Sequence, residues 1–150
     1  MLTNPDPSLI ALGIQQPWAE LILRGIKTIE VRRVPTQIRG TIYLYASKRL
    51  SSLDAARQML NDELINAADL PFGLLVGTVD IVECRPSRQA DAASACVPES
   101  YFNQTYSWVL ENARRCPEPL PVRYVPFGMW FYPYRRLEAT PRRRRKDGGV

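Results

Sequence analysis

The sequence predicts an α+β domain built round a small, mostly antiparallel β-barrel with flanking helices. Three observations point there: five or six short runs with strand character, two helical runs inserted between them, and frequent Pro or Gly between segments. With 150 residues, one domain can bury roughly 70% of its unfolded surface, so neither disulfide nor metal is needed to fold it. The expected organisation is an N-terminal extension at 1–8, the domain at 9–138 and a flexible basic tail at 139–150.

The elements follow in order. Pro17 suits the first turn of a helix. Trp18, Leu21 and Ile22 then fall at i, i+3 and i+4, and Gly25 can end the helix in a left-handed cap, which predicts a helix over 17–24. Thr28 to Val34 is rich in β-branched residues and stops at Pro35. Gly40 to Ala46 alternates Thr41, Tyr43 and Tyr45 with Ile42, Leu44 and Ala46, so the economical reading is two antiparallel strands. Ser51 or Ser52 can cap a second helix whose apolar face runs Leu53, Ala56, Leu60, Leu64 and Ala67. Leu74 to Val82 is almost continuously apolar and predicts a central strand, with Gly77 marking a bulge or bend. Residues 84–104 are polar and irregular, the character of a binding or disordered loop. Tyr106, Trp108 and Leu110 form one face of a further strand, interrupted by Pro117, Pro119 and Pro121. Val122 to Val125 and Met129 to Tyr134 then predict closing strands.

Composition removes whole classes of chemistry. The chain has no histidine, which excludes Ser-His-Asp and Cys-His mechanisms, and its three cysteines are too widely spaced to form a zinc site. No metal or cofactor is expected. No apolar run approaches the roughly 20 residues needed to span a bilayer, and Met1 to Ser8 resembles neither a signal nor a transit peptide, so the expected setting is cytoplasmic with no membrane partner.

Charge is segregated. Residues 24–49 carry a net +6, residues 50–121 a net −5, and the run Arg142, Arg143, Arg144, Arg145 and Lys146 supplies most of the overall +5. A localised positive field steers anionic ligands even in a nearly neutral body, and the terminal run could add sequence-blind phosphate contacts. Inside the first block, Gly25, Lys27, Glu30 and Arg32 have the spacing G-x-K-x-x-E-x-R. Glu30 and Arg32 share one strand face; Lys27 has the other parity and joins them only from the turn before the strand. The end of the helix dipole and Glu30 should both favour a charged Lys27, which suits anion binding. Gln16 is the expected rim residue, because its amide can match a base edge. Ser47 and Lys48 offer a hydroxyl and a phosphate contact, and Trp108 a stacking surface. Trp18 is expected in the core.

The string Ala11 to Arg32, with Gln16-Pro17-Trp18 ahead of the spaced motif, resembles the signature of the ASCH domain, a branch of the PUA-like superfamily. The resemblance continues through Arg39 to Lys48, Val76 to Val82, Tyr106 to Leu110 and Gly128-Met129-Trp130. It implies a PUA-like barrel with a cleft lined by the motif residues and an RNA or modified-nucleoside ligand. Some related small proteins resemble amidohydrolases acting on acetylated cytidine, and others have been argued to cleave RNA. In such an enzyme Lys27 would activate water or a hydroxyl and Glu30 would shuttle the proton, although Glu30 stands where the amidohydrolases carry a hydroxyl residue. A third reading is an adaptor whose acidic middle region contacts protein.

Overall fold

The structure, a computed structural model, describes residues 5–126 and 128–136. The tail residues Arg142 to Lys146 lie outside the described residues. Six strands form one mixed sheet: β1 (Ala11–Gln16), β2 (Ile29–Arg32), β3 (Gly40–Leu50), β4 (Leu74–Pro86), β5 (Tyr106–Leu120) and β6 (Trp130–Phe131). Their order is β2-β5-β4-β3-β1-β6. Among the described residues three α-helices accompany them, α1 (Trp18–Leu23), α2 (Asp54–Asp62) and α3 (Ala92–Ala95). Among the described residues no ladder joins β2 to β6, so closure of the sheet into a barrel is not shown. No described helix is long and apolar enough to cross a membrane.

The sheet is antiparallel except for β1, which runs parallel to β3. The sequence gives little sign of β1 as a strand, because its short stretch is interrupted by Gly13 and buried on both faces, leaving no clean alternation. β3 and β4 lie at the centre. Leu12, Ile14, Ile42, Leu44, Val79 and Ile81 point into the larger core, while Ala11, Tyr43, Tyr45, Leu75 and Phe131 form a second one. Alternate residues of a strand face opposite ways, so the two clusters occupy the two faces of the sheet.

α1 covers the larger core, burying Trp18, Leu21 and Ile22, each side chain contributing about 1.5–3 kcal/mol. It ends in a Schellman motif: Gly25 N–H donates to Ile22 O and Ile26 N–H to Leu21 O, with Gly25 at φ +74°. A β-carbon on Gly77 would collide with Arg114 O and the Leu23 methyl. That close approach is why the central strand carries glycine, and the β4 register shifts beside it.

Several sequence expectations change. The first two predicted strands are not a hairpin: β2 pairs with β5, and β3 lies between β4 and β1. Residues 33–39 cross between them, held where Val34 O accepts from the Trp108 indole N–H. β5 continues through Pro117 and Pro119, beyond the residues that pair with β2. Both fall in the register shift between Arg115, opposite Gly77, and Leu120, opposite Leu75, where the ladder is interrupted and a missing N–H is tolerated. Val122 to Val125 is not a strand, and only Trp130–Phe131 pairs in the closing segment. α2 packs through Ala56 with Ala55 and Met59, whereas Leu53, at its N-cap, is 41% exposed and Leu64, beyond its end, 91%.

Candidate functional site

The Schellman turn fixes the first site residue. Directly after it, Lys27 leaves the chain in the turn before β2, and its side chain turns inward to 3% exposure. Nζ donates to Ala95 O at 2.6 Å and lies 5.1 Å from the centre of the Trp18 ring. The short helix α3 is docked against this turn, with Thr28 N–H donating to Ser94 O. Burial pulls the Lys27 ammonium below the ordinary lysine range, and Arg32 adds to this, while Glu30 and Cys96 oppose it. From the sequence, burial or neighbouring cations such as Arg24 and Arg32 are what must offset the helix dipole and Glu30. The desolvation that outweighs them depends on α3, which sequence spacing does not place.

Glu30 and Arg32 project from one face of β2, as strand parity requires, with Glu30 opposite Trp108 and Arg32 opposite Tyr106. Arg32 Nε lies 3.5 Å from Glu30 Oε1. Its two terminal nitrogens donate to Gly13 O at 3.1 Å and to Met129 Sδ at 3.2 Å, so the guanidinium is fixed to β1 and to the segment before β6. Glu30 is only 8% exposed, and among the described residues its buried Oε2 has no hydrogen-bond partner.

Lys27, Glu30 and Arg32 line one cavity of about 210 Å³, together with Trp18, Arg33 and Thr105. A neighbouring cavity of about 350 Å³ shares Trp18, Glu30, Arg32 and Leu53 with it. Together they fall within the roughly 300–1,000 Å³ of small-molecule sites. Trp18 belongs to the core cluster and also lines both cavities.

Other sequence candidates sit elsewhere. Gln16 is not a rim residue: it is buried, its Oε1 accepts from Glu20 N–H at 2.9 Å, and its Nε2 donates to Pro71 O at 3.1 Å. Its amide is spent on tying α1 to the chain before β4. Trp108 offers no stacking face, being fully buried with its indole N–H on Val34 O and its ring stacked 5.7 Å from that of Trp130. Ser47 and Lys48, half-buried and exposed, line neither cavity; Ser47 lies beside Gly13 and Lys48 beside Gly73.

Val97, Tyr101 and Thr105 line the cavity and come from the polar segment between β4 and β5, where only its loop character could have marked them. The segment is held by a second buried carboxylate. Asp91 accepts two bonds from Arg85 at 2.6 and 2.8 Å, one from Arg88 N–H at 2.9 Å and one from the Ser107 hydroxyl at 2.8 Å. The Arg85 hydrogen bonds, foremost, hold its carboxyl well below the usual carboxylate range. The Thr105 hydroxyl donates to Ser87 at 2.9 Å. Ser107 thus anchors this network and does not face the cleft.

The ASCH domain model matches residues 12–120, which include β2 to β5, all of β1 but Ala11, and α1 to α3. The chain belongs to the ASCH domain family. Among curated proteins it is 34% identical over 122 residues to activating signal cointegrator 1 of Mus musculus, covering 77% of this chain and 21% of that protein. The Homo sapiens protein of the same name is 34% identical over 85 residues, 52% of this chain and 15% of that one. This ASCH chain therefore spans about a fifth or less of the length of those relatives. Among solved structures, an ASCH protein from Zymomonas mobilis superposes with a TM-score of 0.58 at 13% identity, over 85% of this chain and 88% of that one. A mutant of that protein gives 0.56 at 14% identity, over 86% and 90%. At such identities the likeness speaks for the ASCH fold alone.

Proposed function

We propose that this ASCH domain binds RNA or a modified nucleoside in the cavity of Lys27, Glu30 and Arg32. The observation that carries the reading is Glu30 Oε2, an acceptor removed from water and given no donor by the described residues. Leaving such a group unmatched costs about 1–3 kcal/mol or more, and a ligand N–H relieves it. The amino or ring N–H of a nucleobase has that chemistry, and the Trp18 ring in the same cavity offers a stacking wall. Exposed Arg33 at the cavity is the residue for phosphate, since Lys27 and Arg32 already donate to Ala95 O, Gly13 O and Met129 Sδ. The test is calorimetric titration with cytidine, acetylated cytidine and a mixed-sequence ribohexamer in chelator. Binding that Glu30→Gln weakens about tenfold or more supports the reading, on the worth of a charge-assisted hydrogen bond; indifference to all three ligands contradicts it.

A second reading, a hydrolase using the same cavity, is favoured by the lowered pKa of Lys27. A lysine made less basic by burial is the kind that serves as general base. Lys27 would take the proton of an attacking water or ribose hydroxyl, and Glu30 would pass it to the leaving group. Turnover of acetylated cytidine or of the hexamer, lost in Lys27→Ala, distinguishes it from binding alone.

A further inference from the structure

A second cavity of about 350 Å³ opens beside β6, lined by Tyr124, Trp130, Tyr132, Arg135 and Arg136 among others. Among the described residues its polar side chains are cationic, phenolic or indole, with no carboxylate in the lining. Arginine is already stacked on aromatic rings there: the Arg135 guanidinium lies 3.8 Å from the Tyr132 ring centre, and that of nearby Arg123 5.6 Å from Tyr124. Such a set is unlike the other core-edge hollow, between α2 and α3, whose lining is mainly aliphatic and includes Asp54. Aromatic faces interleaved with guanidinium groups match a base on its π-face and a phosphate beside it.

The two sites meet at one short segment. Met129 accepts from Arg32 of the first cavity, and the next residue, Trp130, stacks on Trp108 while lining the second cavity. We propose that the β6 cavity is a second nucleotide site, in which a base stacks against Tyr124, Trp130 or Tyr132 and its phosphate meets Arg135 and Arg136. The ligand class is then a single-stranded oligonucleotide, with one nucleotide at Glu30 and another at β6. This identification of the ligand rests on the nucleobase reading of the Glu30 cavity.

The experiment uses the full chain with cytidine and with a mixed-sequence ribohexamer carrying 4-thiouridine. Photocrosslinking of the unsubstituted protein should place adducts on Tyr124, Trp130 or Tyr132. Tyr132→Leu, which keeps an apolar side chain but removes the ring, should weaken the hexamer by about fivefold or more, the low end for one base stack, and leave cytidine unchanged. Replacing Arg135 and Arg136 by Ala should flatten the salt dependence of hexamer binding by about 1.4 in logarithmic slope. Absence of crosslinks in this segment, or a hexamer affinity that responds to the arginines but to none of Tyr124→Leu, Trp130→Leu and Tyr132→Leu, overturns the second site. Glu30→Gln reads the first site separately: if it changes neither ligand while Tyr132→Leu still weakens the hexamer, the Glu30 reading fails and the β6 site stands.

Discussion

Glu30 and Asp91 are both carboxylates withdrawn from water, at 8% and 4% exposure, and both lie against β5. Asp91 is saturated by Arg85, Arg88 N–H and Ser107, whereas Glu30 has one longer ion pair with Arg32 and one oxygen with no donor among the described residues. A saturated buried carboxylate fixes structure. An unsaturated one beside a cavity holds unused binding capacity, because any donor that reaches it recovers the cost of its desolvation. In this ASCH domain the first pins the segment that forms one wall of the cavity, and the second faces the space that the segment encloses.

The sharpest way to break the contrast is to remove each carboxylate in turn. Asp91→Ala should lower stability by about 3 kcal/mol in denaturant unfolding, because Arg85 is left without its partner; the lower end for buried pairs applies since Arg85 is partly exposed. Glu30→Gln should do the opposite: an affinity loss equivalent to about 1.5–3 kcal/mol for a charge-assisted hydrogen bond, with the thermal midpoint unchanged or raised. If Glu30→Gln unfolds the protein as Asp91→Ala does, the two carboxylates are alike and the distinction fails.

Gln16 sharpens the comparison from the polar, uncharged side. Its Oε1 and Nε2 are both occupied by backbone, so Gln16→Ala should cost about 1–3 kcal/mol of stability by stranding Glu20 N–H and Pro71 O. Nucleoside affinity per folded molecule should stay constant in the same titration.

The smallest effects are pH-dependent. The folded-state pKa of Asp91 is depressed, so its contribution is full above the unfolded value of about 3.9 and fades as pH falls below that value towards the lower folded one. Thermal midpoints should therefore drop more steeply below about pH 4 in the natural chain than in Asp91→Asn. Lys27 has a linkage of the same sign in a higher pH window. Its pKa is lowered by folding, so the folded state releases its proton first, and stability gains with rising pH between that lowered value and about 10.4. Ligand binding that needs the ammonium should weaken over that same window, and Lys27→Met should abolish the step.

How much of this was legible in the sequence follows from the range of each signal. Gly25 as a left-handed cap, Gly77 beside a register shift and the apolar run after Leu74 are local and carry their own physics. The relative placement of Lys27, Glu30 and Arg32 also follows from a turn plus strand parity. The pairing of β2 with β5, the parallel β1 and the burial of Gln16 and Trp108 depend on contacts between residues tens of positions apart. The Asp91 network is illegible for the same reason, since Arg85, Asp91 and Ser107 look like ordinary polar loop and strand residues until β4 and β5 are paired.

The most direct test is carbon NMR of the glutamate side-chain carboxylates, with the Glu30 signal assigned through Glu30→Gln, during titration with the ribohexamer. Glu30 should shift saturably as its free oxygen gains a donor, while Glu20, already held by Arg115, stays in place. A hexamer that binds to saturation and leaves the Glu30 resonance unmoved would contradict the assignment of this carboxylate as the ligand's acceptor.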